Sequence, residues 1–172
     1  MKNVFHRVKQ FWRSLNAGVG AHERRLLSEY LDPPARALFE RMSLNDQRHS
    51  LDLLYLLRER GETDESLLQA ALLHDVGKAQ AQIRLWQRVA YVLMGKLPGR
   101  MRARFCASSR RDWRYPFFVL AHHTELGAEL ARRAGCSAEV VALIRDHQRP
   151  IPPQIATSSR RRLSALQSAD ED

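Results

Sequence analysis

His49, His74, His123 and His147, together with Asp75 and Asp170, are the residues whose types and spacing could do chemistry. All but Asp75 sit in helical phase with apolar neighbours. His49 shares a face with Leu53, Leu56 and Leu57, and His74 follows Leu67 and Ala71. His123 lies in phase with Leu126, Gly127 and Leu130, His147 with Val140 and Ile144, and Asp170 with Leu163 and Leu166. One inward imidazole is ordinarily a core residue with a satisfied hydrogen bond. Five polar positions on five amphipathic helices are different, because unpaired burial costs several kcal/mol per group, on the order of the transfer penalties for such groups.

A divalent cation would satisfy all of them together. Imidazole and carboxylate donors without thiolates suit iron, manganese or another transition metal, and magnesium if waters complete the shell. Asp75, next to His74 at a helix end, is the natural carboxylate to bridge two ions. Such a pair would stabilise both the attacking and the leaving oxygens at a phosphorus centre. His122 is the alternative to His123, displaced by one residue from the apolar face, and Asp172 is the alternative to Asp170.

The elements that must position these residues are all helices. Apolar residues recur at three- and four-residue intervals and no sustained alternation signals a strand, so the fold class is all-α, a single-domain helical bundle. Phe5, Val8, Trp12 and Leu15 form a first amphipathic stripe. A second helix through Leu26, Leu27, Tyr30 and Leu31 should stop at Asp32-Pro33-Pro34, and a third should run from Pro34 towards Met42. The next is expected from Asn45 or Asp46 to just before Gly61, and another from Thr63 or Asp64 to the segment His74-Asp75-Val76-Gly77-Lys78. Helices resume over 117–134, 137–148 and from about Ala156, after the linker Arg149-Pro150-Ile151-Pro152-Pro153.

Residues 1–44 are expected to be N-terminal helices packed on a core unit at 45–172. Between Ala79 and Pro116 the chain turns basic, with Pro98-Gly99 as a break, and reads as a helical insertion. Its arginines, interleaved with Trp86, Tyr91, Trp113 and Tyr115, form either a lid that grips a nucleotide by charge and stacking or a solvated basic face.

A net charge of +9 over 172 residues favours anionic partners. A phosphorylated small molecule or nucleotide leads that list, nucleic acid lacks a recognised motif, and the first amphipathic stripe offers a peripheral membrane contact. Cys106 and Cys136 are too few for a disulfide framework and read as small buried thiols of a cytoplasmic chain. The longest apolar run, Val89 to Met94, is far short of the roughly 20 residues that span a bilayer. Composition does not fix the oligomeric state.

The order His49, then His74-Asp75, then Leu166-x-x-Ala169-Asp170 resembles the ligand set of the HD superfamily, over about Asn45 to Asp170. The segment Leu72-Leu73-His74-Asp75-Val76-Gly77-Lys78 is similar to its central motif. His123-Thr124-Glu125-Leu126-Gly127 resembles the His-Pro-Glu-x-Gly segment of binuclear members such as the HD-GYP group, and Ile144-Arg145-Asp146-His147 resembles their next histidine segment.

The resemblance implies that His49, His74, Asp75 and Asp170 hold one ion, that Asp75, His123 and His147 hold a second, and that Lys78 faces a substrate phosphate. It implies a metal-dependent phosphohydrolase with Asp75 and Lys78 as catalytic residues, or, alternatively, a regulatory module that binds a nucleotide and metal without turnover. Gln148 stands where binuclear members carry a second histidine, and no Gly-Tyr-Pro follows. Both departures argue against a cyclic-di-GMP phosphodiesterase. The histidine order also resembles small HD hydrolases that cleave diadenosine polyphosphates.

Overall fold

A computed structural model describes residues 19–95 and 105–171. The chain is all-α, with no strand among the described residues. Its elements are α1 (Ala21–Tyr30), α2 (Pro33–Glu40), α3 (Leu44–Glu59), α4 (Glu65–Leu73), a 3-10 helix (Val76–Gln80), α5 (Leu85–Met94), α6 (Tyr115–Arg133), α7 (Ala138–Asp146) and α8 (Thr157–Glu171). The stripe Phe5, Val8, Trp12 and Leu15, the break at Pro98-Gly99, and Asp172 lie outside the described residues.

Local chemistry sets the helix starts. Pro33 opens α2, where its missing N–H costs nothing. The α3 start is one or two residues earlier than expected, because Ser43 rather than Asn45 or Asp46 is the cap. Its Oγ accepts the Asp46 N–H at 3.3 Å and donates to Asp46 Oδ2 at 2.6 Å. Asp64 caps α4 by accepting the Leu67 N–H at 3.0 Å, and Ser137 caps α7 through the Val140 N–H at 3.3 Å. At the far ends of α3 and α6, Gly61 and Gly135 take φ of +80° and +85°, a conformation that stops the helix and is cheap only for glycine.

The core is a leucine-rich layer in which α4 is central. It packs against α3, α7 and α8 and also against α1 and α2. Phe39, Leu51, Leu54, Leu57, Leu67, Leu72, Ile144, Leu163 and Leu166 are fully buried there. The helix expected to end at the segment His74 to Lys78 stops at Leu73, just before it, and hands over to the 3-10 turn, which packs along α6. Cys106 and Cys136 form no disulfide and are half-buried rather than buried. No helix among the described residues is long and apolar enough to cross a membrane.

Candidate metal centre

Three of the four histidines reach the centre by one device. A helix leaves its last carbonyls without backbone partners, and an imidazole placed just after the helix can donate to one of them. His74 stands directly after α4 and its Nδ1–H donates to Ala71 O at 2.9 Å, while His147 stands directly after α7 and donates to Ile144 O at 2.7 Å. His123 does the same inside α6, because His122 has left helical geometry (φ −122°, ψ 15°) and His123 Nδ1–H meets Leu120 O at 2.8 Å. With Nδ1 donating to a backbone carbonyl on each ring, every Nε2 is turned inward, away from its own helix end.

That point lies inside the protein. His74 Nε2, His123 Nε2, His147 Nε2 and Asp75 Oδ1 are buried and have no hydrogen-bond partner. An orphaned buried polar atom costs about 1–3 kcal/mol, so four gathered around one centre call for a further group. Asp75 lies between the rings, with Oδ2 3.5 Å from His74 Nε2 and Oδ1 3.6 Å from His123 Nε2. The rings of His74 and His147 stand edge to face at 5.1 Å, and those of His123 and His147 at 5.6 Å.

His49 and Asp170 complete the set from α3 and α8. His49 Nε2 lies 2.8 Å from Asp170 Oδ1, and His74 Nε2 lies 3.6 Å from the same oxygen. Sequence phase pointed the His49 ring into the bundle rather than to water. The ring sits instead at the mouth, 34% exposed, beside Asp170 at 22%. These two form the side open to solvent, while His74, Asp75, His123 and His147 form the floor.

Candidate ligand atoms gather within 4.8 Å of one another in three overlapping groups: His49, His74 and Asp75; His74, His147 and Asp170; and Asp75, His123 and His147. All six expected ligands therefore converge. Between the alternatives, His123 faces the centre and His122 is exposed, its ring tilted against that of Phe118 at 4.6 Å. The donor set fits divalent ions: imidazole nitrogens and carboxylate oxygens, preorganised by backbone hydrogen bonds on three rings, with no thiolate.

Charges around the centre are uneven. Burial alone would push His74 down, but the Asp75 and Asp170 carboxylates outweigh it and raise the imidazole to about 9. Burial lowers His147 to about 4, helped by the charge on His74, and burial and Lys78 lower His123. Burial opposes the charge on Asp75, yet the Lys78 ammonium and the surrounding rings hold that carboxyl well below its usual range. Lys78 Nζ donates to Asp75 Oδ2 at 2.5 Å from the edge of the floor.

Two supporting features were not read from the sequence. Gly77 presses its backbone onto α6, where an added Cβ would fall 2.0 Å from His123 O and 2.8 Å from Gly127 N. The glycine between Asp75 and Lys78 was the available signal, since only a residue without a side chain permits such an approach. Asp46 is buried and takes both nitrogens of the Arg88 fork, at 2.8 and 2.7 Å, which ties α5 to α3 beside the centre. Nothing in a residue count announces that pair.

An all-α bundle whose helix ends converge on a mixed imidazole and carboxylate centre defines a class of metal-binding helical domains. Residues 47–171 match the model of the HD domain family, and the chain belongs to that family. No curated protein and no solved structure matches it.

Proposed function

We propose that this chain is a metal-dependent phosphohydrolase acting on a nucleotide or a similar phosphorylated small molecule. The convergence of three partnerless buried imidazole nitrogens on the partnerless Oδ1 of Asp75 carries this reading. Membership of the HD domain family, whose members are typically metal-dependent phosphohydrolases, supports it.

His49, His74, Asp75 and Asp170 would hold one ion, with Asp75, His123 and His147 holding a second. Divalent ions held there would supply Lewis-acid charge to a phosphoryl oxygen and acidify water near neutral pH. The residues of the chain do the rest. Nδ1-to-carbonyl bonds fix the three floor rings, so no reorganisation is needed when a substrate arrives. Lys78 neutralises Asp75 at rest and presents its remaining donors towards a phosphate at the mouth.

A cleft of about 610 Å³ opens at the end of the 3-10 helix, lined by Gln80, Arg84, Trp86, Arg110, Trp113 and Tyr115 among others. It lies near the centre along the chain: Tyr115 precedes His123 by eight residues, about 12 Å of helix. Indole faces and guanidinium groups at that distance suit a nucleobase whose phosphates reach the metal centre, and this supports the nucleotide reading.

The test is hydrolysis of a nucleotide panel by protein reconstituted with manganese or iron, compared with Asp75→Ala. Turnover should fall by at least about 1,000-fold in the variant, the order expected when a group acting on the transition state is removed. Undiminished phosphatase activity in Asp75→Ala would refute the reading. Nucleotide binding without phosphate release at any metal concentration would favour a regulatory module instead.

A further inference from the structure

The cleft at the end of the 3-10 helix is one-sided in its hydrogen bonding. Gln87, in the first turn of α5, lines it and is only 6% exposed. Its Oε1 accepts the Arg84 N–H at 2.8 Å, which fixes the amide with its oxygen to the backbone and its nitrogen turned away. Nε2 has no partner among the described residues, so its two hydrogens are left for whatever fills the cleft. A nearly buried amide held at one end and unpaired at the other needs an acceptor.

The acceptors in the same walls are already engaged. Gln80 Oε1 accepts from Arg110 Nη2 at 2.9 Å, and both Asp112 oxygens accept from Arg114 at 2.8 to 3.3 Å. Arg84 and Arg111 add guanidinium donors with no partner among the described residues, while Gln82 and the Tyr115 hydroxyl can serve in either role. Beside these donors stands flat apolar surface: Trp86 and Trp113 are 52% and 64% exposed, and both rest edge to face on Phe117, at 6.1 and 6.3 Å.

We infer that this cleft selects a 6-oxopurine, guanine or hypoxanthine, as the base of the nucleotide, with Gln87 as the specificity-determining residue. The inference rests on the nucleotide reading of the cleft given above. A base stacked on an indole presents its edge to the surrounding donors. The O6 and N7 edge of a 6-oxopurine carries two acceptors and no donor, the pattern that donor side chains read best. Adenine places its N6 amine beside N7, so donor would meet donor and one of them would go unpaired. A site built around such a bond rejects the base that cannot make it.

Equilibrium dialysis of the full-length, manganese-loaded protein with inosine, guanosine, adenosine and ribose tests this. These ligands carry no phosphate, so binding is scored without turnover. Protein that prefers inosine but hydrolyses no nucleotide would fail the phosphohydrolase reading alone, and protein that hydrolyses nucleotides without base preference would fail this inference alone. Inosine and guanosine should each bind at least about tenfold more tightly than adenosine, the order set by one good pair of base-edge bonds, with ribose weakest. Gln87→Glu keeps an oxygen for the Arg84 N–H and loses only the donor, so it should bring inosine to within about twofold of adenosine. Trp113→Ala should weaken inosine and adenosine alike. Equal binding of inosine and adenosine by wild type, or binding of neither above ribose, overturns the inference whether or not the variants fold. So does an unchanged preference in a Gln87→Glu protein whose circular dichroism matches wild type.

Discussion

His74 should make metal capture depend on pH in a specific way. In the metal-free centre its imidazole is held at about 9 by Asp75 and Asp170, so at pH 7 about 99% of the rings carry a proton that a metal must displace. His147 and His123 are lowered, His147 to about 4, so these two rings are already neutral at pH 7 and release nothing. One proton should therefore leave with the first ion that uses His74, and its affinity should rise about tenfold per pH unit, or about 100-fold from pH 6 to pH 8.

The same shift has the opposite sign for the metal-free fold. A raised histidine stabilises the native state fully below its unfolded value of 6.5 and loses that contribution as pH rises through 9, so metal-free protein should weaken by about 3 kcal/mol across this interval. Manganese titration calorimetry in two buffers of different ionisation enthalpy counts the proton directly, and urea melts of chelated protein read the stability. Affinity that is flat from pH 6 to 8, with no proton released, would refute the charge arrangement and leave His74 neutral at rest.

Three further outcomes follow from the packing. Gly77→Ala places a Cβ against His123 O and Gly127 N, so the 3-10 helix and α6 must part. Chemical denaturation should show a loss of about 2–3 kcal/mol, and mass spectrometry should show less metal retained. Arg88→Ala strands Asp46 in a buried site and should cost about 2–3 kcal/mol at pH 7, discounted for the partial exposure of Arg88. Because Asp46 is held below its usual value, with Arg88 as the main cause opposing burial, the gap from wild type should narrow as pH falls through the acid range. Ser50 buries an Oγ without a partner, and Ser50→Ala should be neutral or stabilise by up to about 1 kcal/mol in a thermal melt, with metal content unchanged.

Helical phase carried much of the centre. The offsets that put His74, His123, His147 and Asp170 on apolar faces identify the side chains that converge, and Asp75 follows from its neighbour. Phase alone could not say how they converge. The rings of His74 and His147 act from just beyond their helices, and His123 acts through a break at His122 that no residue in Ala121-His122-His123-Thr124 signals. A shift of part of a turn decides whether a ring meets the carbonyl three residues back, and a periodic pattern blurs shifts of that size. His49 shows the same limit from the other side, because its phase was inward while its depth along α3 set it at the mouth. The orientation of α5 is a tertiary fact: the chain spells an amphipathic helix, and only the Arg88–Asp46 pair says which side faces in.

The bond between His49 and Asp170 joins positions 121 residues apart. Contacts of such separation form late, since the entropy of closing the intervening loop must be met before they can contribute. On a ribosome, a nascent chain would already carry His49, His74-Asp75, His123 and His147 while Asp170 was still to be added. The full donor set thus comes into being only once α8 has docked on α3 and α4.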